Sequence, residues 1–169
     1  MTTILSDQRR LRDVFGAFPS GVAAVAAVVD GAPVGIAASS FTSVSLNPAL
    51  VSLCIAHTST TWPVLRGAPR LGVSILSAAH ERAGRQLADR SGDRFAELSW
   101  RATANGAVLL DGASGWLETS VEQQVRAGDH DIVVLRVHDL DADHDISPLV
   151  FHAGQFRRLE PVTAGCVAR

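Results

Sequence analysis

The sequence predicts a mainly β protein, an antiparallel β-barrel with a few flanking helices, and three observations carry that prediction. Six or seven short runs rich in Val, Ala, Ile and Leu are separated by turn residues. Successive runs are joined by hairpin-type connections, as in antiparallel barrels. Helical periodicity is confined to two or three segments, too few to cover a parallel sheet.

The elements follow in chain order. Residues 7–18 place Leu11, Val14, Phe15 and Phe18 three and four apart, with Ser6 as a cap and Pro19 as a stop, which predicts an amphipathic helix. Gly21 to Val29 and Ala32 to Ser39 are apolar runs joined by Asp30-Gly31, a dipeptide suited to the positive φ angles of a tight hairpin. Ala49 to His57 reads as a third strand and Arg70 to Ala78 as a fourth. Between them, Ser59-Thr60-Thr61-Trp62-Pro63 sets hydroxyl residues ahead of a proline fit for a first helical turn. His80 to Asp89 puts Ala83, Leu87 and Ala88 on one side of a second helix. Gly115 to Arg126 and Asp131 to Leu140 alternate as two long strands about the turn Ala127-Gly128-Asp129. Pro148 to Phe156 gives a last strand and Thr163 to Arg169 a frayed tail.

No repeat or linker divides the 169 residues, so they are expected to form a single domain with a core at about 11–159 and a tail at 160–169. A chain of this length buries roughly 70% of the surface its unfolded form exposes. Val and Ala on both sides of some strands indicate that both sheet faces are covered. In so short a chain a second copy would supply part of that cover, so a homodimer is expected.

Composition narrows the function. The fifteen basic residues, all Arg, nearly balance seventeen acidic ones, and no basic block interleaved with aromatics occurs, which argues against a nucleic-acid partner. No apolar run approaches the ~20 residues that span a bilayer, so no membrane partner is expected. The first ten residues lack the order of a signal peptide, and Cys54 and Cys166 form no disulfide framework; a reducing cytoplasm is the expectation. Cys54, within an apolar run, reads as a small buried hydrophobe.

Several chemistries fail on the residues themselves. The alternating acids Asp139, Asp141, Asp143 and Asp145 imitate a calcium loop, but His144 stands where glycine is required and Val150 where glutamate is required. No paired Cys or His spacing suits zinc, so no metal is expected. No Gly-x-Ser-x-Gly elbow marks a serine hydrolase. Neither a Gly-x-Gly-x-x-Gly turn nor a phosphate loop is present, and the chain has no lysine. A nucleotide would have to be held by hydroxyls, backbone amides and Arg.

Three segments fit that description. Gly35 to Pro48 (Gly-Ile-Ala-Ala-Ser-Ser-Phe-Thr-Ser-Val-Ser-Leu-Asn-Pro) leaves an apolar strand as a run of small and hydroxyl residues, through which a flat ligand can approach the backbone. Such a run also serves ordinary turns, and its weight comes from its company. Ser59-Thr60-Thr61 stands at a helix start, where unpaired N–H groups donate to a phosphate as readily as to an ordinary cap. Gly128-Asp129-His130 places a histidine just past a turn, able to hydrogen-bond an amide if the turn folds over a groove.

In this order and spacing, Phe18-Pro-Ser-Gly-Val22, Gly35 to Pro48, Ser59-Thr-Thr61, Val73-Ser-Ile-Leu76, Asp93-Arg-Phe95, Gly128-Asp-His130 and Pro148-Leu-Val-Phe-His152 resemble the flavin reductase-like family. The likeness runs from about Leu11 to Leu159. It implies a split antiparallel β-barrel that binds FMN or FAD and takes hydride from NADH or NADPH. By the same resemblance, Ala37, Ala38, Ser39, Ser40, Ser43, Val44 and Ser45 run along the flavin ring and ribityl chain. Ser59, Thr60 and Thr61 lie near the phosphate, Arg94 and Phe95 at the nucleotide end or ring edge, and Phe156, with Phe151, beside the pocket. His130 corresponds to the family histidine near the nicotinamide and is the expected catalytic residue. Ala37 stands where the family often has Thr, which removes one hydroxyl.

The implied function is NAD(P)H-dependent reduction of free flavin by hydride transfer to N5, supplying a separate flavin-dependent monooxygenase. The alternatives are a flavoprotein that holds FMN tightly and reduces a dedicated organic substrate, or a non-catalytic flavin- or haem-binding module.

Overall fold

In the computed structural model, which describes residues 7–159, the Asp7 carboxylate accepts the N–H groups of Arg9 and Arg10 at 3.0 and 3.2 Å and opens α1 (Gln8–Gly16). The expected Ser6 cap, the 160–169 tail and Cys166 lie outside the described residues. After β1 (Ser20–Gly21), β2 (Ala23–Val29) and β3 (Ala32–Ala38) form a hairpin whose turn residues Asp30 and Gly31 take φ of 50° and 80°. Both angles are the left-handed ones the Asp-Gly pair was expected to supply.

The hydroxyl-rich run then departs from expectation. It returns as a further strand, β4 (Thr42–Leu46), paired antiparallel with β5 (Ala49–Ala56) and bulged between Ser43 and Ser45. Its Thr and Val are β-formers, and a free edge on β5 overrides the loop character of the serines. The one-turn helix α2 (Trp62–Leu65) follows, then β6 (Leu71–Ile75) and α3 (Glu81–Ala88). A short hairpin, β7 (Trp100–Ala102) and β8 (Val108–Leu110), is unforeseen by the sequence. The long hairpin β9 (Gly115–Ala127) and β10 (His130–Ala142) turns at Gly128 with φ of 66°. The single strand expected from Pro148 to Phe156 is two, β11 (Leu149–His152) and β12 (Gln155–Arg158), because Ala153 and Gly154 adopt φ of 49° and 74°. Alanine rarely takes such an angle, so Gly154 alone marked the turn and its Ala neighbour disguised it.

Seven strands form one antiparallel sheet in the order β3-β2-β6-β9-β10-β5-β4. The sheet curls on itself. Inward residues from five of its strands (Val25, Leu53, Val73, Leu117 and Val133 among them) meet in one buried cluster, plugged by Trp62 and Leu65 of α2. Each fully buried Leu or Val in it contributes about 1.5–3 kcal/mol. The opposite face of β2, through Val22, Ala24 and Ala26, packs against Leu76, Leu87 of α3, Val108, Leu110 and Leu149. Both faces of β2 are thus covered by the chain's own elements, which explains its uninterrupted apolar sequence. The mainly β, antiparallel architecture is the one the sequence predicts.

Candidate active site

The curl brings β3 and β5, strands far apart in the sheet order, to opposite sides of one cavity. It measures about 360 Å³, within the range of small-ligand sites. Ile36, Ala37, Ala38, Ser39 and Ser40 of β3 and its exit form one wall; Cys54, Ile55 and Ala56 of β5 form another. The 58–61 loop, Arg90 and Arg94 beyond α3, and His130 at the start of β10 complete it.

β3 is an edge strand, so alternate N–H and C=O groups meet no neighbouring strand and can face a ligand. Its side chains there are small because β2 and α3 press on the other side. A Cβ on Gly35 would lie 2.8 Å from Phe95 Cζ and 3.0 Å from the Val25 carbonyl, which leaves no room for any other residue.

The hydroxyls divide into braces and free groups. Ser40 Oγ accepts the Cys54 N–H at 2.8 Å and donates to the Cys54 carbonyl at 3.2 Å, tying the exit of β3 to β5. Ser59 Oγ accepts the Trp62 N–H at 3.1 Å, holding the 58–61 loop against the start of α2, while Thr61 Oγ1 accepts from Arg94 Nη1 at 2.7 Å. Ser39 and Thr60 make no side-chain hydrogen bond among the described residues, and Arg90 makes only a 3.5 Å contact with Thr58 Oγ1. All three have bonding capacity to spare for a ligand.

His130 is anchored by its own turn. Its Nδ1–H donates to Asp129 Oδ1 at 2.7 Å, which in the neutral ring leaves Nε2 as an acceptor. That hydrogen bond is the main reason the Asp129 carboxyl lies below its ordinary pKa. Next to it, His57 Nε2–H donates to Asp131 Oδ1 at 2.9 Å and likewise lowers the Asp131 carboxyl.

Of the residues expected at the site, Ala37, Ala38, Ser39, Ser40, Ser59, Thr60, Thr61, Arg94 and His130 share this cavity. Ser43, Val44 and Ser45 do not; they lie on β4, on the far side of β5 from β10, and Val44 is exposed. Phe95 is 7% exposed and belongs to the core, touching instead an adjoining cavity. Phe156 and Phe151 line an apolar cavity of about 130 Å³ that shares Ala37, Ala38 and Ser39 with the main one. Among the lining residues that the sequence did not mark are Cys54 and Arg90. Cys54 is exposed, contrary to its reading as a buried hydrophobe, because alternation along β5 turns Leu53 and Ile55 inward and Cys54 out. Arg90 lies just past α3 in no motif; a lone arginine after a helix gives no signal.

No group of three metal-ligating side chains occurs among the described residues, and no helix among them is long and apolar enough to cross a membrane.

Residues 15–160 match the flavin reductase like domain family. A probable flavin reductase of Rhizobium meliloti is 38% identical over 138 residues, 81% of this chain but only 44% of that longer protein. The reductase subunit HsaB of a flavin-dependent monooxygenase from Rhodococcus jostii is 33% identical over 92% of this chain and 80% of its own. Among solved structures, Streptomyces globisporus NADH:FAD oxidoreductase SgcE6, in complex with NAD and FAD fragments, superposes with a TM-score of 0.88 at 37% identity, covering 93% of this chain and 95% of that one.

Proposed function

The chain belongs to the flavin reductase-like domain family, and on that premise we propose that it is an NAD(P)H:flavin oxidoreductase, the reductase component of a two-component flavin-dependent monooxygenase. The observation that carries this reading is the 360 Å³ cavity, which joins a small-residue edge strand to a rim of hydroxyls, two arginines and one anchored histidine. These residues fit a flavin: a flat wall for the ring, hydroxyls and cations for the phosphate.

Hydride passes from reduced nicotinamide to N5 of FMN or FAD, and that chemistry is carried by the two small molecules. The chain contributes position. Ala37, Ala38 and Ser39 keep side-chain bulk out of the ring's plane, so unpaired amides of the β3 edge can hydrogen-bond the polar edge of the flavin and stabilise charge gained on reduction. Ser59, Thr60 and Thr61, with Arg90 and Arg94 beside them, hold the phosphate end. Asp129 fixes the His130 tautomer, and Nε2 then accepts from the nicotinamide carboxamide, orienting the donor ring. Phe156 closes the ring end through the smaller apolar cavity.

Exposed Phe15 and Phe18 on and after α1, and Leu46 at 95% exposure on β4, support a homodimer, since an isolated domain gains nothing by leaving them wet. The dependence on NAD(P)H and the free Cys54 thiol support a cytoplasmic site of action.

The test is nicotinamide oxidation by the purified protein with and without added FMN, FAD or riboflavin. Oxidation should require added flavin, and the purified protein should be pale. A yellow protein that ignores free flavin would favour a dedicated flavoprotein, and no oxidation with any flavin would reduce it to a binding module.

A further inference from the structure

We propose that Asp131 is a positioning residue: one carboxylate ties down both ends of the hydroxyl loop 58–61, so that the loop keeps the shape that receives the flavin phosphate. This role rests on the flavin reading above and adds to it what fixes the loop. His57 stands immediately before the loop and Trp62 immediately after it. His57 Nε2–H donates to Asp131 Oδ1 at 2.9 Å. Gln124 Nε2 donates to Asp131 Oδ2 at 2.6 Å, and Gln124 Oε1 accepts from Trp62 Nε1 at 3.3 Å. Asp131 sits one residue past His130 on β10, where it is paired with Ile55 of β5 and Arg126 of β9. The anchor therefore belongs to the barrel wall and not to the loop.

The relay is consistent in a single sense. An indole N–H can only donate, so Gln124 turns its oxygen to Trp62 and its NH2 to Asp131, and an ionised carboxylate accepts from both sides. The Asp131 side chain is 18% exposed, so these bonds are largely shielded from water. His57, Gln124, Asp131 and Trp62 do not line the cavity, whereas Thr58, Ser59, Thr60 and Thr61 all do. Any effect of the relay on a ligand must pass through the loop. Within the loop, the Ser59 N–H donates to the Ala56 carbonyl at 2.9 Å and Ser59 Oγ accepts from the Trp62 N–H, which shape the loop but join it only to its own flanks. Arg94 holds Thr61 from the segment after α3, and the Asp131 relay holds the flanks from β9 and β10.

The test compares FMN with riboflavin, which carries the same ring and no phosphate. Steady-state KM values for both flavins and for NADH are measured in the wild type, Asp131→Ala, Asp131→Asn and Gln124→Leu, with thermal midpoints to verify folding. Wild type should show a lower KM for FMN than for riboflavin. Asp131→Ala should raise the FMN KM by about tenfold, the weight of one hydrogen bond to a charged group, and Gln124→Leu, which cuts only the Trp62 arm, by about threefold. The riboflavin and NADH values should stay within about twofold of wild type, since neither depends on the loop's grip on the flavin phosphate. Asp131→Asn should keep most of the flavin ratio, because its amide can accept from Gln124 and donate to the other tautomer of His57. Gln124 is exposed, so its variant carries the test if the alanine variant does not fold. Equal FMN and riboflavin constants in the wild type overturn the proposal, as does an asparagine variant as impaired as the alanine one. Parallel rises for both flavins mean general loosening, and a rise for NADH alone attaches the relay to His130; either result overturns it. So does a fall in the FMN KM, the outcome expected if Asp131 acts as a charge repelling phosphate. A wild type that reduces no flavin would instead sink the flavin reductase reading itself, a different result from any of these.

Discussion

Arg94 Nη1 donates to Thr61 Oγ1 at 2.7 Å and to the Gly35 carbonyl at 3.1 Å, while its Nε donates to the Asp89 carbonyl. One guanidinium therefore fixes the distance between the edge strand, the hydroxyl loop and the segment after α3, the three parts that meet around the phosphate end of the cavity. Arg94→Ala should raise the flavin KM by about tenfold or more, since bonds to a charged donor are each worth ~1.5–3 kcal/mol. Arg94→Lys keeps the charge but has no planar fork to reach three acceptors, so it should recover little of the loss. Full recovery in the lysine variant would show that charge alone matters and that the brace does not.

His130 differs from Arg94 in being anchored by one bond, to Asp129, with its side chain 44% exposed at the cavity rim. His130→Ala should lower kcat or raise the nicotinamide KM by about tenfold, the weight of one orienting hydrogen bond, with a flavin dissociation constant within about twofold of wild type. Asp129→Asn should give a smaller change in the same direction, because the amide oxygen still accepts the Nδ1–H but fixes the tautomer less firmly than a carboxylate does. Kinetic constants unchanged in both variants would remove His130 from the mechanism.

The hairpins about Asp30-Gly31 and Gly128-Asp129 were legible because glycine at a left-handed position is a local signal, and the strands between them because alternation is local too. β4 and the β7–β8 hairpin were not, because their pairing depends on distant edges that no window of sequence contains. The same division holds at the site. Ala37 to Ser40, Ser59 to Thr61 and His130 were named because composition and motif mark them. Arg90 and Cys54 reach the cavity through the curl of the sheet and the direction of one strand's alternation, which are tertiary facts. Ser43 to Ser45 stand apart from this cavity because the chain returns there as β4, a pairing no local pattern announces.

Asp131 links three elements at the end of the barrel. It accepts from His57 Nε2 at 2.9 Å and from Gln124 Nε2 at 2.6 Å, and Gln124 Oε1 in turn accepts from Trp62 Nε1 at 3.3 Å. The His57 hydrogen bond is the main reason its carboxyl lies below the ordinary 3.8 in the folded state. A depressed carboxylate pKa means the unfolded chain binds more protons than the folded one near that value. The stabilisation is therefore present above pH 3.8 and lost as pH falls through the folded value. Asp131→Asn should lower the thermal midpoint at neutral pH, and the two midpoint curves should converge on acidification below about pH 4. A gap of constant size at every pH would mean that the charge of Asp131 contributes nothing.

Gly72 tests the packing that sets β6 beneath the β7–β8 hairpin. A Cβ at this position would lie 2.0 Å from the Val108 carbonyl oxygen and 2.9 Å from Leu109 Cδ2. The first of these is backbone and cannot swing aside, so Gly72→Ala must push β8 off the sheet or bend β6. Overpacking of this kind costs about 1–3 kcal/mol, and a backbone neighbour puts the cost at the upper end. For a chain of this size that corresponds to a fall of roughly 6–12 °C in Tm. Gly21→Ala is the control, since nothing lies within 4 Å of its Cβ direction, and its midpoint should stay close to that of the wild type. If both variants melt together with the wild type, β8 is mobile enough to yield, and the close approach of β6 to β8 does not fix the outer layer over β2.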